Sequence, residues 1–377
     1  MKSEFIGRRA FVSLVCFVLF LPAGRAQERF QGVARIVAVG DVHGGFSEFV
    51  SILRSAGVLD EKSSWIGGKT HLVQTGDVVD RGPDSRKVLD LLMKLEKQAR
   101  KSGGRVHALL GNHEAMNIYG DLRYVSSEEY ESYRSSDSIE RREAYWNREV
   151  EVLKSSGVQF DQGYRSKWEK EHPLGWFEHR LAFGPTGVYG QWLRQRKALI
   201  QINDLLFLHG GIGPKYVASS ITELNGKIRD ELEDLKKLEG GVTMDPEGPL
   251  WYRGLANGSE QELGSHVDQV LKNYGVRRLV LGHTPTGGAV LPRFDGKVIL
   301  IDVGLSKLYG GTPACLISEG SKLQALHRGQ RLELPTAPDG LTAYLSAAAA
   351  LDPPPSPLQK LIQAISSGGL PLPSQEP

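Results

Sequence analysis

Short apolar runs alternate with longer amphipathic stretches along this chain of 377 residues. The apolar runs predict strands at 35–39, 71–75, 105–110, 204–208, 277–281 and 297–303. Between the first three runs, the segments 46–59 and 85–102 repeat apolar residues at i, i+3 and i+4, which predicts helices. This alternation of strands and helices indicates an α/β fold.

The alternation breaks at residues 119–190, which are rich in Glu, Arg, Ser and Tyr. We interpret this stretch as a helical insertion over the core, and predict a further charged helix at 221–238. Residues 331–377 hold nine of the 19 prolines, so we predict a Pro/Ala-rich C-terminal tail in which LQKLIQAI (358–365) is a candidate short helix. One domain would then cover 27–330.

The N-terminus has the pattern of an export signal. Residues 1–26 combine a basic start, an apolar stretch over 10–21 and small residues before a cleavage point after Ala26. The apolar stretch is shorter than the roughly 20 residues of a bilayer span, although a signal anchor is the alternative. The pair Arg8-Arg9 is compatible with a twin-arginine signal. The sequence therefore predicts a periplasmic or extracellular protein with no stable membrane span after cleavage.

The charge of the chain bears on nucleic-acid binding, and its cysteine content bears on disulfide formation. The formal charge is +2, and without residues 1–26 the chain has 42 basic and 43 acidic side chains. A surface this close to neutral argues against a nucleic-acid partner. Only Cys16 and Cys315 are present, so cleavage would leave no intrachain disulfide. We expect Cys315, in an apolar run, to be a small buried residue.

Five predicted strands end in a tight turn that combines glycine with side chains able to bind metal. The turns are GDVHGG (40–45), GDVVDRG (76–82), GNHEAMN (111–117), HGGIG (209–213) and GHTPT (282–286). Ligands of α/β sheets collect at the carboxyl ends of strands, where glycine lets the backbone approach an ion. The donors are two Asp, one Asn and three His residues: Asp41, His43, Asp77, Asn112, His209 and His283. Oxygen and nitrogen donors without thiolate suit manganese, iron or zinc, and two such ions would attract an anionic substrate.

Each turn alone has a simpler interpretation. GDVHGG could be a polar hairpin turn, and GNHE could cap a helix. Among the histidines outside the turns, we interpret His71 and His107 as satisfied strand positions in the core. The others, His172, His179, His266 and His327, are interpreted as surface residues. The occurrence of all five turns in one chain favours metal binding over coincidence.

In this order, GDVHG, GDVVDRG, GNHE, HGG and GH resemble the phosphoprotein phosphatase superfamily within the calcineurin-like metallophosphoesterases. The resemblance covers about residues 34–310. The stretches 183–212 and 248–254 are similar to the bacterial Shewanella-like protein phosphatase branch. The fold implied is α/β with two mixed β-sheets sandwiched between helices, an α/β/β/α arrangement, and a helical insertion.

The resemblance implies a pair of divalent metal ions, with manganese expected and iron or zinc as alternatives. The implied ligands are Asp41 and His43 for the first ion, Asp77 as the bridge, and Asn112, His209 and His283 for the second. A hydroxide between the ions would attack phosphorus in line, so no covalent phosphoenzyme would form.

The remaining chemistry is also implied by the resemblance. His113 would be the general acid that protonates the leaving oxygen, and Asp80 would orient its ring. Glu114 would orient the loop instead of taking part in the chemistry. The groups implied to contact the phosphoryl oxygens are Arg81, Asn112 and Arg253.

The sequence departs from the broader family at GHTPT, where Pro285 occupies the position of a second histidine ligand. The first ion would therefore have three protein ligands plus solvent.

The function implied is phosphomonoester hydrolysis on a phosphoprotein or phosphopeptide, at Ser/Thr or at Tyr. The alternatives are hydrolysis of diadenosine polyphosphates or other nucleotides, and a non-enzymatic scaffold that the complete residue set disfavours.

Overall fold

The computed structural model describes residues 27–157, 159 and 161–367, so the predicted signal peptide lies outside the described residues. The strands are β1 (Arg29–Phe30), β2 (Arg35–Val39), β3 (His71–Gln74), β4 (Arg105–Ala108), β5 (Leu199–Ile202), β6 (Leu205–Leu208), β7 (Arg278–Leu281), β8 (Leu291–Arg293), β9 (Val298–Leu300), β10 (Ala314–Glu319), β11 (Lys322–His327) and β12 (Gln330–Glu333). The helices are α1 (Phe46–Ser55), α2 (Ser85–Lys101), α3 (Asn112–Tyr119), α4 (Ser127–Tyr133), α5 (Ser138–Ser155), α6 (Gln162–Glu171), α7 (Trp176–Phe183), α8 (Val188–Arg194), α9 (Ile221–Glu233), α10 (Gly254–Asn257), α11 (Glu260–Tyr274), α12 (Leu341–Ala349) and α13 (Leu358–Ser366).

The strands form two mixed six-stranded sheets. One has the order β1-β5-β6-β7-β9-β8 and the other the order β12-β11-β10-β2-β3-β4. In the second sheet β2, β3 and β4 are parallel, whereas β10 pairs with β2 in the antiparallel direction. In the first sheet β6, β7 and β9 are parallel. Two mixed sheets with flanking helices confirm the predicted fold class.

Apolar burial explains why the central segments form these elements. Every residue of β3, β5, β6 and β9 is buried, as expected for short apolar runs inside an α/β sandwich. Helix α1 buries Phe49, Ile52 and Leu53, which share one face at i, i+3 and i+4 spacing. The strand predicted over 297–303 is shorter in the structure, where β9 covers Val298–Leu300. Cys315 is buried and unpaired in β10.

Residues 119–190 contain helices α4 to α7 and the start of α8. Their aromatic side chains pack on one another: the ring centroid of Tyr133 lies 4.9 Å from that of His179 and 6.2 Å from that of Phe183. The expectation that His179 is a surface residue was wrong, because this aromatic cluster encloses it completely. His327 is also buried, beside Asp352 with 3.1 Å between Nε2 and Oδ1, so it is not a surface residue either.

The C-terminal residues are more ordered than their composition predicted. Strand β12 extends the second sheet, and helices α12 and α13 pack against the domain. Leu345 and Leu358 are fully buried, and Tyr344 Oη donates a hydrogen bond of 2.7 Å to the carbonyl oxygen of Val290 in the core. The short helix expected over 358–365 is present as α13, but strand β12 and helix α12 were not expected, so the interpretation of these residues as a tail was wrong there.

Across the described ranges, the chain has no helix with both the length and the apolar content needed to cross a bilayer.

The packing of α12 generates a stability prediction. Leu345→Ala should lower the free energy of unfolding by about 2–5 kcal/mol, because Leu345 is fully buried and its loss leaves a cavity. Urea unfolding of the metal-loaded protein measures this change. The control is Leu181→Ala on α7, where the side chain is 60% exposed, and its effect should stay below about 0.5 kcal/mol. Equal stabilities of the two variants would contradict the packing of the C-terminal helices.

Candidate active site

The five sequence turns meet at the carboxyl ends of β2, β3, β4, β6 and β7. They bring together the predicted ligands, which are all buried: Asp41, His43, Asp77, Asn112, His209 and His283. Parallel strands end at one edge of a sheet, and this shared edge explains why residues far apart in sequence meet there. The site therefore depends on the register of strands from both sheets.

The turns have unusual backbone conformations. His43, Asp77 and His283 adopt positive φ angles of 43°, 56° and 69°. Such left-handed conformations are strained for residues with side chains, and they persist only where the surrounding structure enforces them. At Gly111 a Cβ atom would overlap Asp77 Oδ1, and at Gly282 it would overlap Asp41 Oδ1. Glycine is thus required at both positions for the carboxylates to fit.

Asp77 joins two groups of potential ligands. His43, Asp77 and His113 form one group and Asp77, His209 and His283 the other, with the ligand atoms of each group within 4.8 Å of one another. Asp77 Oδ2 lies 3.8 Å from His43 Nε2 and 3.2 Å from His209 Nε2. This oxygen is buried and accepts no well-aligned hydrogen bond. Its position suits a carboxylate shared between two cations.

Carbonyl partners determine which nitrogen of each histidine faces the site. Each ring places one nitrogen against a backbone oxygen, which can only accept a hydrogen bond, so that nitrogen bears the proton. The acceptors are Val79 O for His43 Nδ1 (3.1 Å), Thr75 O for His209 Nδ1 (3.0 Å) and Trp251 O for His283 Nε2 (3.1 Å). The other nitrogen of each ring then presents a lone pair, as in protein metal sites.

The atoms around His209 Nε2 fit a cation. This nitrogen lies 2.9 Å from Asn112 Oδ1 and 3.2 Å from Asp77 Oδ2, so three lone-pair atoms converge without a proton between them. Such convergence of acceptors is unfavourable unless a positive ion lies among them. The residues present therefore fit a divalent metal ion at this position.

The sequence also predicted that Asp41 and His113 lie near the metals. In the structure, His113 belongs to one of the two ligand groups, whereas Asp41 lies outside both. Asp41 lies beside the two groups, where both of its carboxylate oxygens accept from the backbone N–H of His283, at 3.0 and 3.1 Å. His113 contributes to the first group, with Nε2 3.8 Å from Asp77 Oδ2. His113 thus faces the first metal position and also contacts Asp80.

Buried carboxylates dominate the electrostatics. Burial and the nearby Asp302 and Asp77 raise the pKa of Asp41 well above its usual range. Burial also acts to raise the pKa of Asp77, but the imidazoles of His209 and His113 outweigh this effect and hold the pKa of Asp77 well below its usual range. Burial also raises the pKa of Asp302 to about 6. Three carboxyl groups packed together inside the protein repel one another when ionised, and divalent cations would relieve this repulsion.

His113 is fixed by its neighbours. Its Nδ1 donates to Asp80 Oδ2 at 2.6 Å, and the other oxygen of Asp80 accepts from Asn117 Nδ2 at 2.8 Å. Sequence reasoning missed Asn117, although its position four residues after His113 on α3 could have indicated it. The ring is therefore held by two connected hydrogen bonds, as a proton donor requires.

Glu114 closes the turn that bears Asp77. Its carboxylate accepts from the backbone N–H groups of Asp77 (2.8 Å), Val78 (2.7 Å) and Gly111 (2.7 Å). It therefore holds the ends of β3 and β4 together. The geometry agrees with a role in orienting the loop.

Two arginines lie at the rim of the site. The guanidinium of Arg81 stacks 4.0 Å from the ring centroid of Tyr124, whose ring in turn lies 5.0 Å from that of His113. Arg253 Nη1 donates to His283 O, and to Thr284 Oγ1 at 3.1 Å. The structure thus brings both predicted arginines to the site. It adds Tyr124, which sequence reasoning missed because the residue lies in the helical insertion.

A cavity of about 310 Å³ adjoins these residues. Its walls combine apolar and aromatic side chains with one ion pair, and they include Met116, Tyr119, Tyr124, Met244 and Trp251. Trp251 borders His283, with ring centroids 6.1 Å apart, and Tyr124 borders His113. The cavity therefore opens beside both halves of the site.

Known proteins share this arrangement. The chain is 35% identical to an uncharacterized protein of Schizosaccharomyces pombe over 82% of this chain and 86% of that protein. It is 27% identical to Shewanella-like protein phosphatase 2 of Arabidopsis thaliana over 74% of each chain. The crystal structure of a cold-active protein-tyrosine phosphatase from a psychrophilic Shewanella species superposes with a TM-score of 0.63 and 29% identity, covering 82% of both chains.

The family model for calcineurin-like phosphoesterases matches residues 34–287, the segment that contains all five turns. The Arabidopsis relative is named a Shewanella-like protein phosphatase, and the similar crystal structure is that of a Shewanella phosphatase. The chain is therefore a member of the calcineurin-like phosphoesterase family, in its Shewanella-like branch, and is a metal-dependent phosphoester hydrolase.

Proposed function

We propose that this hydrolase is a protein phosphatase that prefers phosphotyrosine. The observation that carries the preference is the cavity next to His113 and Arg81, because an aromatic leaving group needs an apolar wall beside the phosphate. Met244, 47% exposed, and Trp251 offer such a wall. The Arabidopsis relative is named a protein phosphatase and the Shewanella relative a protein-tyrosine phosphatase, and both names support a phosphoprotein substrate.

The metal ions and the side chains of the site would have different roles in the hydrolysis of a phosphomonoester. The two metal ions, when bound, would supply positive charge at the phosphoryl group and an activated water. Arg81 and Arg253 would contact the phosphoryl oxygens, together with the side-chain amide of Asn112. His113 would transfer a proton to the leaving oxygen, and Asp80 would hold the ring in the orientation for this transfer.

We propose manganese for the two metal positions, with iron or zinc as alternatives, because the donors are carboxylate, amide and imidazole. The first position would be bound by Asp41, His43 and Asp77, and the second by Asp77 with the remaining three ligands, Asn112, His209 and His283. We also propose that the protein is exported, on the pattern of residues 1–26 alone.

The phosphotyrosine preference can be tested with peptides of one sequence that carry phosphotyrosine, phosphoserine or phosphothreonine. We expect the highest kcat/KM for phosphotyrosine. Met244→Ala should raise KM for that peptide about threefold to tenfold, because it removes apolar contact with the ring, and should change the phosphoserine value less than about twofold.

The control for this prediction is Leu235→Ala, a loss of another exposed apolar side chain outside the cavity. Equal effects of Met244→Ala on both peptides would remove the cavity from substrate selection. A higher kcat/KM for diadenosine tetraphosphate than for every phosphopeptide would overturn the assignment as a protein phosphatase.

Removing the shared carboxylate tests the metal centre. Asp77→Asn should lose bound metal and all measurable turnover, because one buried oxygen faces both ligand groups. Elemental analysis by mass spectrometry after desalting measures the metal content. Asp84→Asn, a half-buried carboxylate that pairs with Lys87 at 2.7 Å away from the ligands, should keep the parental metal content. Full metal occupancy in Asp77→Asn would refute its bridging role.

The general acid can be tested by the leaving group. His113→Ala should retain the metals but lose about 100-fold or more of kcat on an alkyl phosphate, which needs protonation. The loss on p-nitrophenyl phosphate should be about tenfold or less, since that leaving group departs as a stable anion. The control is His172→Ala, which removes an imidazole in the insertion. An unchanged rate of alkyl phosphate hydrolysis would exclude His113 as the acid.

A further inference from the structure

A second cavity, of about 650 Å³, lies where the free edges of the two sheets approach each other. Strands β1 and β4 are the terminal strands of their sheets, and both contribute residues to its wall. The cavity shares no lining residue with the candidate active site. Its volume lies within the usual range for small-molecule sites.

The wall of this cavity is strongly basic. It contains six cationic side chains against the two carboxylates of Glu96 and Glu233, and the cations are Arg100, Arg105, Arg194, Arg196, Lys197 and Arg229. Burial lowers the pKa of His107, also in the wall, to about 3, so this imidazole is neutral at physiological pH. Such an excess of positive charge around a concave surface raises the local concentration of anions.

Internal ion pairs neutralise only part of this charge. Glu96 is shared by Arg100 at 2.7 Å and Arg196 at 3.2 Å. Lys197 pairs with Glu28 at 3.3 Å. The acidic groups near these three cations are therefore already engaged.

For three guanidinium groups of the wall, the described residues provide no ion pair shorter than 4.0 Å. Arg105 lies 5.3 Å from the ring of Phe30, and among the described residues no carboxylate pairs with it. Arg194 donates hydrogen bonds to backbone carbonyl oxygens, such as Leu232 O at 3.1 Å, and the charge of Glu233 acts on it without a direct hydrogen bond. Arg229 reaches Asp230 at a distance of 4.0 Å, the limit of an ion pair.

The residues that precede the cavity in the sequence have a net positive charge. Gln27 lines the cavity, and the 26 residues that precede it carry four basic side chains and one acidic side chain. The chain's own N-terminal sequence therefore has the wrong charge to compensate the wall.

We propose that this cavity binds a small soluble anion with two or more phosphate groups, as a site distinct from the catalytic centre. Several guanidinium groups around one space favour phosphate, because each presents paired N–H donors to two oxygens. A single phosphate would leave part of the charge uncompensated, whereas a diphosphate carries charge for more than one of the guanidinium groups that line the cavity, among them Arg105 and Arg229. This proposal does not depend on the substrate preference of the catalytic centre.

The test uses metal-loaded protein and methylenediphosphonate, a diphosphate analogue whose P–C–P link resists hydrolysis. Calorimetric titration of the parent should give binding at the cavity in addition to any at the catalytic centre. The double variant Arg105→Glu/Arg229→Glu should weaken the cavity component about tenfold or more, because it removes two charge-assisted contacts. Binding at the catalytic centre should stay the same in both proteins.

The matched control is Arg148→Glu/Lys154→Glu, which makes the same change of net charge at exposed positions of α5 outside the cavity. It should bind the probe as the parent does. All variants should hydrolyse p-nitrophenyl phosphate at the parental rate, which also reports correct folding. Unchanged binding in the cavity variant, or an equal loss in the control, would overturn the proposal.

Reversal of charge at Arg105 could disturb β4, so Arg229→Gln provides a milder variant on the half-exposed side of α9. We expect it to weaken the cavity component about threefold. Parental affinity in this variant, together with correct folding, would also count against the site.

Discussion

Burial of the Asp77 carboxylate is the interaction on which the rest of the structure depends. A carboxylate inside a protein is stable only when other groups supply hydrogen bonds or positive charge. Here the backbone N–H of His113 donates to Oδ1 at 3.1 Å, and Oδ2 faces the imidazoles. Glu114 fixes the turn from behind, and the absence of a side chain at Gly111 leaves room for the carboxylate. The strained backbone of Asp77 is the cost of this arrangement.

The rest of the fold serves to keep these turns in register. Parallel strands of each sheet deliver their last residues to one edge, and fully buried strands permit little movement there. The histidine tautomers are set by backbone carbonyl groups of the same turns, so the ligand atoms are oriented by the fold itself. The C-terminal helices also contribute buried side chains to the apolar core, including Leu345 and Leu358.

The sequence predicted the fold and most of the site because the relevant information is local. Each strand and the polar turn after it are adjacent in the chain, so IVAVGDVH specifies both the buried strand and its terminal ligands. Contacts between distant segments could not be predicted in this way. Tyr124 and Met244 become part of the site only through the folding of segments outside the strands. The burial of His179 and of helix α12 depends on tertiary packing, which overrode composition in both cases.

The origin of the site residues has a consequence for how this family can diversify. All candidate metal ligands come from strand ends in the sandwich, whereas Tyr124 lies in the insertion and Met244 in a loop that follows α9. The catalytic scaffold and the surface that meets the substrate are therefore separate modules of the chain. Exchange of residues 119–190 between homologues would be a way to change substrate selectivity without changing the metal ligands.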